Sequence, residues 1–326
     1  MRDLLIRRRN LLIRKQEEDM NIRAVCFKAD GEQTVTIKQV NITSAKVFQY
    51  SYDGVTWESW NLSPLPFGGS TKVYVRGYNN TLSYSNTTYE YFSFSTDAYV
   101  YVSGIVESLL DGDNEVLTYG TQGILRQLFY QQTALRSAEN LRFEAQSTAT
   151  DIVSVYALMF DGCTNLLYAP KVLPANDFKG SYNYQYMFRN CKSLITAPEL
   201  PATALGSECY QYMFYGCTSL VNAPKLPATT LTLKCYQYMF FGCTSLVNAP
   251  ELPATVLASE CYQYMFYGCT SLKSIRCRAK VKASDATLNW LNGVTTSGTF
   301  YGHSEYGWSS GASGIPSGWT FVELND

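Results

Sequence analysis

The segment Cys235-Tyr-Gln-Tyr-Met-Phe-Phe-Gly-Cys-Thr-Ser-Leu246 decides the fold of this chain, because the chain repeats it. Nearly identical copies begin at Cys209 and Cys261. The Met-Phe pair recurs from Met159 to Met265 in five copies, with steps of 28, 26, 26 and 26 residues. A fixed period of this length is typical of a solenoid, whose units are too small to bury their apolar faces alone and therefore stack on one another. Solenoids present long surfaces and usually bind partners.

Within one repeat, apolar residues fall at the spacing of a short helix. In the copy that begins at Cys261, four residues that bury well stand at i, i+4, i+5 and i+8. They are Cys261, Met265, Phe266 and Cys269. We predict that they form one buried helix face, and that Gly268 lies in the turn that ends the helix. The side chains expected to point outward are Tyr262, Gln263, Tyr264 and Tyr267.

The linking segment Leu246–Pro253 predicts a short extended stretch, because Pro250 and Pro253 keep it out of a helix and interrupt regular pairing. The residues expected to point inward are Leu246, Ala249 and Leu252, and those expected to point outward are Val247, Asn248 and Glu251. After stacking, this side of the solenoid is predicted to carry a row of Thr196, Asn222 and Asn248, flanked by Glu199, Lys225 and Glu251.

Stacking of the repeats also predicts two outward rows of tyrosines. The first row is Tyr184, Tyr210, Tyr236 and Tyr262, and the second is Tyr186, Tyr212, Tyr238 and Tyr264. Tyrosine combines a large contact area with a polar tip, so both rows are candidate surfaces for a partner protein or a glycan. Tyr306 and Trp308 of the C-terminal tail are further candidates for this surface. The alternative is that the tyrosines only pack against one another and shield the solenoid.

The ten cysteines do not form a metal-binding pattern. The chain has no Cys-x-x-Cys pair, and its only histidine is His303. On the predicted helix, Cys209 and Cys217 would lie about 12 Å apart, which is too far for a disulfide. We therefore predict buried free thiols that act as small apolar side chains, and we expect no metal and no cofactor.

Signals of catalysis are weak. His303 stands near Glu305, but no Gly-x-Ser-x-Gly nucleophile context is present, and His303 is expected on the surface of the tail. The segment Asp111-Gly-Asp113-Asn-Glu115 is a candidate calcium loop, yet it lacks the full twelve-residue pattern, so a plain acidic turn is the favoured interpretation. We expect no catalytic residues and no enzymatic activity.

Composition restricts the possible partners. The net charge of −1 argues against the basic surface of a nucleic-acid-binding protein. No stretch approaches the roughly 20 apolar residues that span a bilayer, so no transmembrane segment is expected.

The regions before and after the repeats predict separate units. Residues 22–104 alternate β-branched and aromatic residues between turn signals at roughly ten-residue spacing, which predicts an immunoglobulin-like β-sandwich with Trp57 in its core. Residues 105–150 are predicted to be a connector and N-terminal cap, 151–280 the solenoid, and 281–326 an aromatic C-terminal cap. The predicted fold class is mixed α and β, with an N-terminal anchoring helix, a β-sandwich and a solenoid of stacked repeats.

Residues 1–21 contain a short repeat of their own. Leu4-Leu-Ile-Arg7 returns as Leu11-Leu-Ile-Arg14, and a spacing of seven keeps an apolar cluster on one side of a helix. The candidate anchor residues are Leu4, Leu5, Arg8, Leu11 and Leu12. A solvated terminus and a membrane-surface helix are the alternatives. The segment lacks the uninterrupted apolar core of a secretory signal, so we do not expect export by the usual route.

The motif Met-Phe-x-Gly-Cys-x-Ser-Leu, followed by Ala-Pro-x-Leu-Pro-Ala-Thr, resembles the BspA-like leucine-rich repeats over residues 160–272. The first two copies depart from the motif, because Val155 and Asn183 replace the leading cysteine. The start Leu4–Leu12 and the ending Gly314-Ile-Pro-Ser-Gly-Trp319 look like those of such proteins from gut Bacteroidales and their phages. The resemblance implies adhesion or recognition at a surface, on a right-handed solenoid with short strands.

Together these features predict a non-enzymatic virion structural protein, either a head or tail fibre or a decoration protein. We expect its N-terminus to bind other virion proteins and its solenoid to face a host cell-surface glycan or protein. A homo-oligomer is expected, as a trimer by analogy with other fibres, located in the virion and extracellular after lysis. The lack of an export signal favours this function over a bacterial adhesin of the same repeat family. An adhesin with a misassigned start, an intracellular scaffold and a carbohydrate-active enzyme that uses Glu199 and Glu251 are the alternatives.

Overall fold

The computed structural model describes residues 22–30, 34–42, 46–69, 71–79, 90–95, 98–111, 125–144, 153–174, 180–281 and 283–325. Within these ranges it contains thirteen strands, one four-residue helix, α1 (Ser108–Asp111), and one 3-10 turn, η1 (Ser304–Tyr306). The predicted mixed α and β class is therefore wrong, because the described chain is almost entirely β. None of the described helices is long and apolar enough to cross a membrane.

Two groups of predicted residues lie outside the described ranges. The first is the candidate anchor, with Leu4, Leu5, Arg8, Leu11 and Leu12. The second comprises Asp113 and Glu115 of the candidate calcium loop.

The alternating residues after position 22 form two sheets that pack face to face. The strands are β1 (Val25–Ala29), β2 (Thr34–Val40), β3 (Phe48–Ser51), β4 (Glu58–Trp60), β5 (Leu65–Gly68), β6 (Val73–Gly77), β7 (Tyr91–Ser95), β8 (Val100–Ile105) and β9 (Leu135–Arg142). One sheet has the order β4-β3-β6-β1-β8-β9 and the other β5-β2-β7. The Phe27 ring lies 6.0 Å from Phe92 and 6.4 Å from Phe67 of the opposite sheet, between ring centroids.

The tryptophan predicted for the core of the sandwich is the wrong one. Trp60 is buried there and stacks on Phe92 at 6.0 Å, with an angle of 21° between the rings. Trp57 is half-buried on the other face of the six-stranded sheet, where the Arg76 guanidinium lies 4.0 Å from its ring centroid. Trp57 and Trp60 are an odd number of residues apart, and side chains at such a spacing in extended chain point to opposite faces of the sheet.

The predicted helix in each repeat is also wrong, because the segment is a run of tight turns. Glu260, Tyr264 and Gly268 have φ angles of 52°, 55° and 70°, so every fourth residue is left-handed. Left-handed residues recur at the same four-residue spacing in the neighbouring repeats, at Lys234, Tyr238 and Gly242 and at Glu208, Tyr212 and Gly216. A left-handed residue in each turn excludes a continuous α-helix. The i, i+4 spacing that resembles a helix face is the period of these turns.

Along the turn segment, backbone amides alternate between hydrogen bonds within their own coil and hydrogen bonds to the next coil. The amides of Gln263 and Met265 donate to carbonyls three residues back in the same coil, at 3.2 and 3.0 Å. The amides of Tyr262, Tyr264 and Phe266 donate to the next coil, at 2.9 to 3.0 Å. The segment therefore satisfies its buried amides without a helix, and each coil is hydrogen-bonded to its neighbours.

The linking segments form a parallel ladder on another side of the coils. Its regular part is the four-stranded parallel sheet β10 (Asn248–Leu252), β11 (Ser274–Cys277), β12 (Gly298–Gly302) and β13 (Trp319–Glu323). Single parallel bridges such as Tyr168–Thr196 continue it through earlier coils. The predicted inward positions are confirmed, since Leu246 and Leu252 are buried and Ala249 packs on the core.

One apolar core runs from the sandwich through the solenoid to the tail. The first coil is irregular: the amides of Leu125 and Phe129 donate to the second coil at 3.0 and 2.9 Å, and β9 pairs in parallel with β8 of the sandwich. At the other end, Trp290 is fully buried and stacks on Trp308 at 5.6 Å. The tail thus covers the last coil.

A fully buried carboxyl lies where the sandwich meets the first coils. Glu107 accepts hydrogen bonds from the Tyr156 hydroxyl at 2.8 Å and from the Glu144 amide at 3.0 Å. Burial outweighs these bonds and raises the pKa of Glu107 to about 7. A carboxyl whose pKa is raised on folding favours the folded state when protonated. Its contribution is therefore largest below its ordinary pKa and is lost as the pH rises through 7.

We predict that Glu107→Gln removes this pH dependence. The shift from 4.5 to about 7 corresponds to about 3 kcal/mol between pH 4.5 and pH 8. Urea unfolding at the two pH values should therefore give a smaller difference in free energy for the variant than for the wild type. Glu305→Gln, at an exposed position, is the control and should leave the difference unchanged. Equal pH dependence of Glu107→Gln and wild type would contradict the assignment.

Candidate partner-binding surface

The first predicted tyrosine row does not face outward. Its members are at most 1% exposed and stack in the core with ring centroids 5.4 to 6.0 Å apart. They are Tyr184, Tyr210, Tyr236 and Tyr262. The left-handed residue two positions later reverses the chain, so the tyrosine shares the inward side with the Met-Phe pair. This row cannot present a binding surface.

The cysteine that follows the glycine of the repeat also has a structural role. Its thiol donates to a phenylalanine carbonyl in the preceding coil, as Cys243 does to Phe214 and Cys269 to Phe240, both at 3.1 Å. All ten cysteines are buried and free, which confirms the predicted burial. Burial raises the pKa of Cys243 to about 12, so its thiol is protonated and able to donate.

The second predicted tyrosine row does lie at the surface, as a continuous half-buried stack. Neighbouring ring centroids are 4.5 to 4.7 Å apart, with angles of 5° to 19° between the ring planes. The members are Tyr186, Tyr212, Tyr238 and Tyr264.

Beside it lies a second surface row: the predicted outward position of Tyr267 is confirmed, but the sequence analysis missed the row to which Tyr267 belongs. Tyr215, Phe241 and Tyr267 stack with centroids 4.7 and 4.6 Å apart. The two rows touch through tilted pairs such as Tyr238 and Phe241, at 5.8 Å. The sequence feature that could have predicted this row is the aromatic residue that precedes the glycine in three successive repeats. We call the seven rings of both rows the aromatic strip.

Polar groups close both ends of the aromatic strip. The Arg189 guanidinium lies 4.6 Å from the Tyr186 ring centroid and makes two hydrogen bonds to Asp161, at 2.9 and 2.6 Å. Burial raises the pKa of Asp161, whereas the bond to Asp161 raises that of Arg189. At the other end, the Asn289 amide donates to the Tyr264 hydroxyl at 3.2 Å. The strip is thus limited to the full repeats.

A ladder of glutamine side chains fixes the strip from beside it. The Gln185 amide donates to Gln211 at 2.5 Å, and the same bond joins Gln211 to Gln237 and Gln237 to Gln263. An amide both donates and accepts, so it can stack on its own kind in every coil. The ladder holds the neighbouring tyrosine backbones in register.

The stacking determines what the aromatic strip can contact. Because each ring covers the face of the next, the internal rings expose mainly their edges and hydroxyl groups to solvent. Burial raises the pKa values of Tyr186, Tyr212 and Tyr238, which keeps these hydroxyls neutral. The strip is therefore an uncharged ridge of aromatic edges and neutral hydrogen-bonding groups.

The remaining predicted residues lie in the tail. Tyr306 is buried and Trp308 is half-buried, and their rings stack at 3.8 Å over the end of the core, so Tyr306 does not belong to an exposed surface. His303 was predicted on the surface but is buried, with its Nδ1 atom 3.9 Å from a Glu323 carboxylate oxygen. Across the described ranges, no group of three or more His, Cys, Asp or Glu residues is arranged to hold a metal ion.

The fold and this surface define a parallel-stacked repeat solenoid with an aromatic ridge. Residues 139–255 and 182–288 match the family model of the BspA type leucine rich repeat region, in six copies. The repeats of the solenoid are therefore similar to BspA type leucine rich repeats, over residues 139–288, which are less than half of the chain. Repeats of this type suggest an adhesin-like or other repeat protein. The repeat family is not a known enzyme family. No curated protein and no solved structure matches the chain.

The buried tyrosine row gives a prediction about stability. The Tyr184 hydroxyl donates to the Pro174 carbonyl at 3.0 Å, whereas the buried Tyr236 hydroxyl has no hydrogen-bond partner among the described residues. Tyr184→Phe should lower the free energy of unfolding by about 1 kcal/mol. Tyr236→Phe should leave it unchanged or raise it, because a buried polar group is removed. Chemical denaturation of the two variants measures the difference, and an equal loss in both would contradict the hydrogen-bond assignment.

Proposed function

We propose that the protein is a non-enzymatic recognition protein whose solenoid binds a cell-surface partner through the aromatic strip. The observation that carries the proposal is the continuous half-buried stack from Tyr186 to Tyr264, with the second row beside it. Aromatic residues are enriched at protein interfaces because they provide large contact area at a low cost in side-chain entropy. Here stacking and the glutamine ladder order the rings before binding, which reduces that cost further.

The geometry favours a protein surface as the partner. A sugar ring stacks on an exposed aromatic face, but the internal faces of the strip are covered by neighbouring rings. Tyr186 is covered at its outer side by Arg189. Ring edges and neutral hydroxyls suit the mixed polar and apolar surface of a protein.

The wider setting that we propose is a virion, in which the protein is a fibre or decoration protein with its N-terminus bound to other virion proteins. The support is the resemblance of Leu4–Leu12 and of the C-terminal segment to proteins of gut Bacteroidales and their phages. A recognition solenoid that faces the host fits such a particle. The expected location is the outside of the virion.

We predict that Tyr212→Ser, Tyr238→Ser and Tyr264→Ser together reduce attachment of the labelled protein to gut Bacteroidales cells at least tenfold. The three substitutions remove three of the four rings in the stack from Tyr186 to Tyr264, while the second surface row and the buried rows remain. Flow cytometry measures attachment, and circular dichroism checks that the variant folds. Tyr52→Ser, at an exposed tyrosine of the sandwich, is the control and should attach like the wild type.

Two further arms make this test decisive. The triple Tyr→Phe variant keeps the stack, so it should fold like the wild type and lose only the attachment that depends on hydroxyl groups. Protease treatment of the cells should abolish attachment if the receptor is a protein, and periodate oxidation should abolish it if the receptor is a glycan. Unchanged attachment of the folded serine variant would overturn the proposed role of the strip.

The virion setting is tested separately by immunogold labelling of purified phage particles with antibodies against the solenoid. Label on the particle surface is the expected result. Label that never appears on particles, in a lysate that contains the protein, would contradict the virion setting and leave the recognition role intact.

A further inference from the structure

A polar cleft of about 430 Å³ opens at the surface of the first three coils, where the turn segment of each coil ends. Its volume is within the range of small-molecule sites, roughly 300 to 1,000 Å³. Each coil contributes the last left-handed residue of its turn segment and the residue two positions later. The lining residues are Gln131, Thr133, Gly162, Thr164, Asn190 and Lys192.

The cleft lies where these coils depart from the repeat. In the full repeats the last left-handed residue is glycine, as at Gly216 and Gly242. Gln131 and Asn190 adopt the same conformation, with φ angles of 56° and 59°, although it favours glycine. Gly162 lies between them in the stack, where a Cβ atom would come within 2.9 Å of the Gln131 Cγ atom. The missing side chain leaves a gap between two amides.

The polar side chains of the cleft are available to a ligand. In the full repeats the threonine hydroxyl donates to the preceding coil, as the Thr244 hydroxyl does at 3.4 Å. Within the described ranges the Thr133 and Thr164 hydroxyls make no hydrogen bond, and neither does the Asn190 amide. The Gln131 amide nitrogen donates to a tyrosine hydroxyl at 3.0 Å, which leaves its carbonyl oxygen without a bond among these residues.

Lys192 gives the cleft a positive charge. It is exposed, and no ion pair within 4.0 Å involves it in the part of the chain that the structure describes. The carboxylate beside Gly162 in the sequence, Asp161, is buried and makes both of its hydrogen bonds to Arg189. The cleft therefore combines neutral hydrogen-bonding groups with one cation, which suits a ligand with several hydroxyl groups and one negative charge.

The backbone of the cleft does not favour a phosphate. Phosphate sites are commonly built from backbone amides or from arginine. Here the amides of Gly162, Asn190 and Lys192 donate to carbonyls of the solenoid, at 2.8, 2.7 and 2.9 Å. The groups that remain are side-chain amides and hydroxyls, which both donate and accept hydrogen bonds, as the hydroxyl groups of a sugar do.

We propose that this cleft binds an acidic sugar, whose carboxylate pairs with the Lys192 ammonium. The Gln131 and Asn190 amides and the Thr164 hydroxyl bind hydroxyl groups of the sugar ring. This site and its ligand go beyond the protein partner proposed for the aromatic strip. The cleft borders the strip at Arg189, which precedes Asn190 and covers the first ring of the strip.

The test measures binding to the full chain by saturation-transfer NMR titration at low ionic strength, where the charge interaction is least screened. The probes are glucuronic acid, galacturonic acid and N-acetylneuraminic acid. At least one of them should bind saturably. Glucose, which has the ring without the charge, and acetate, which has the charge without the ring, should each bind at least tenfold more weakly.

Two variants that restore residues of the full repeats separate the roles of charge and amide. Lys192→Thr should reduce the affinity for the acidic sugar to that for glucose. Asn190→Gly should weaken acidic and neutral sugars by the same factor, because it removes a hydrogen bond and no charge. Both should fold like the wild type by circular dichroism. Lys225→Thr, the same substitution at an exposed lysine on the ladder side, is the control and should bind like the wild type.

Three results would each overturn the proposal. They are an absence of saturable binding for all three acidic sugars, acetate or inorganic phosphate that binds as tightly as the best acidic sugar, and a folded double variant Asn190→Gly, Lys192→Thr that binds like the wild type. The triple serine variant of the aromatic strip keeps every residue of the cleft and should bind the sugar normally. Failure of the cleft proposal therefore leaves the proposed role of the strip unaffected.

Discussion

The hydrogen bonds between coils are the constraint on which the rest of the structure depends. Alternate amides of the turn segment donate to the next coil, and the intervening amides close turns within their own coil. This alternation requires a left-handed residue at every fourth position, which includes tyrosines at Tyr212, Tyr238 and Tyr264. The left-handed conformation is unfavourable for an isolated tyrosine, but hydrogen bonds to the coils on both sides hold the backbone in it.

The same constraint separates the packing tyrosines from the surface tyrosines. Tyr236 precedes the left-handed Tyr238 by two residues, yet Tyr236 is fully buried and Tyr238 forms part of the ridge. The inner rings exclude water from the core and the outer rings remain half-exposed. The left-handed turn places Tyr238 and its equivalents at the surface, and these are the tyrosines for which we propose recognition. The same backbone constraint therefore produces both the coil stack and the candidate binding surface.

Much of this fold could be predicted from the sequence, since the period, the buried cysteines and the inward leucines follow from repetition and residue type. The turn segment could not be predicted in the same way. Apolar spacing of four fits both a helix and a run of tight turns, and only the left-handed residues distinguish them. Tyrosine at those positions gives no local signal, because glycine or asparagine normally marks such a conformation. The error then assigned Tyr262 to the surface and left Phe241 unnoticed.

The repeats differ at positions where stacking identical residues is unfavourable. Stacking sets like residues on like, which suits phenylalanine rings, glutamine amides and buried thiols. It does not suit charges, because two like charges 4 Å apart repel by about 1 kcal/mol even in water. At two positions the chain accordingly exchanges glutamate and lysine between coils: Glu199, Lys225, Glu251 and Glu208, Lys234, Glu260. Neutralisation within the coil stack accounts for the second set, whose Lys234 and Glu260 are paired. It does not account for the first set, because no ion pair within 4.0 Å involves Glu199 or Lys225 among the described residues.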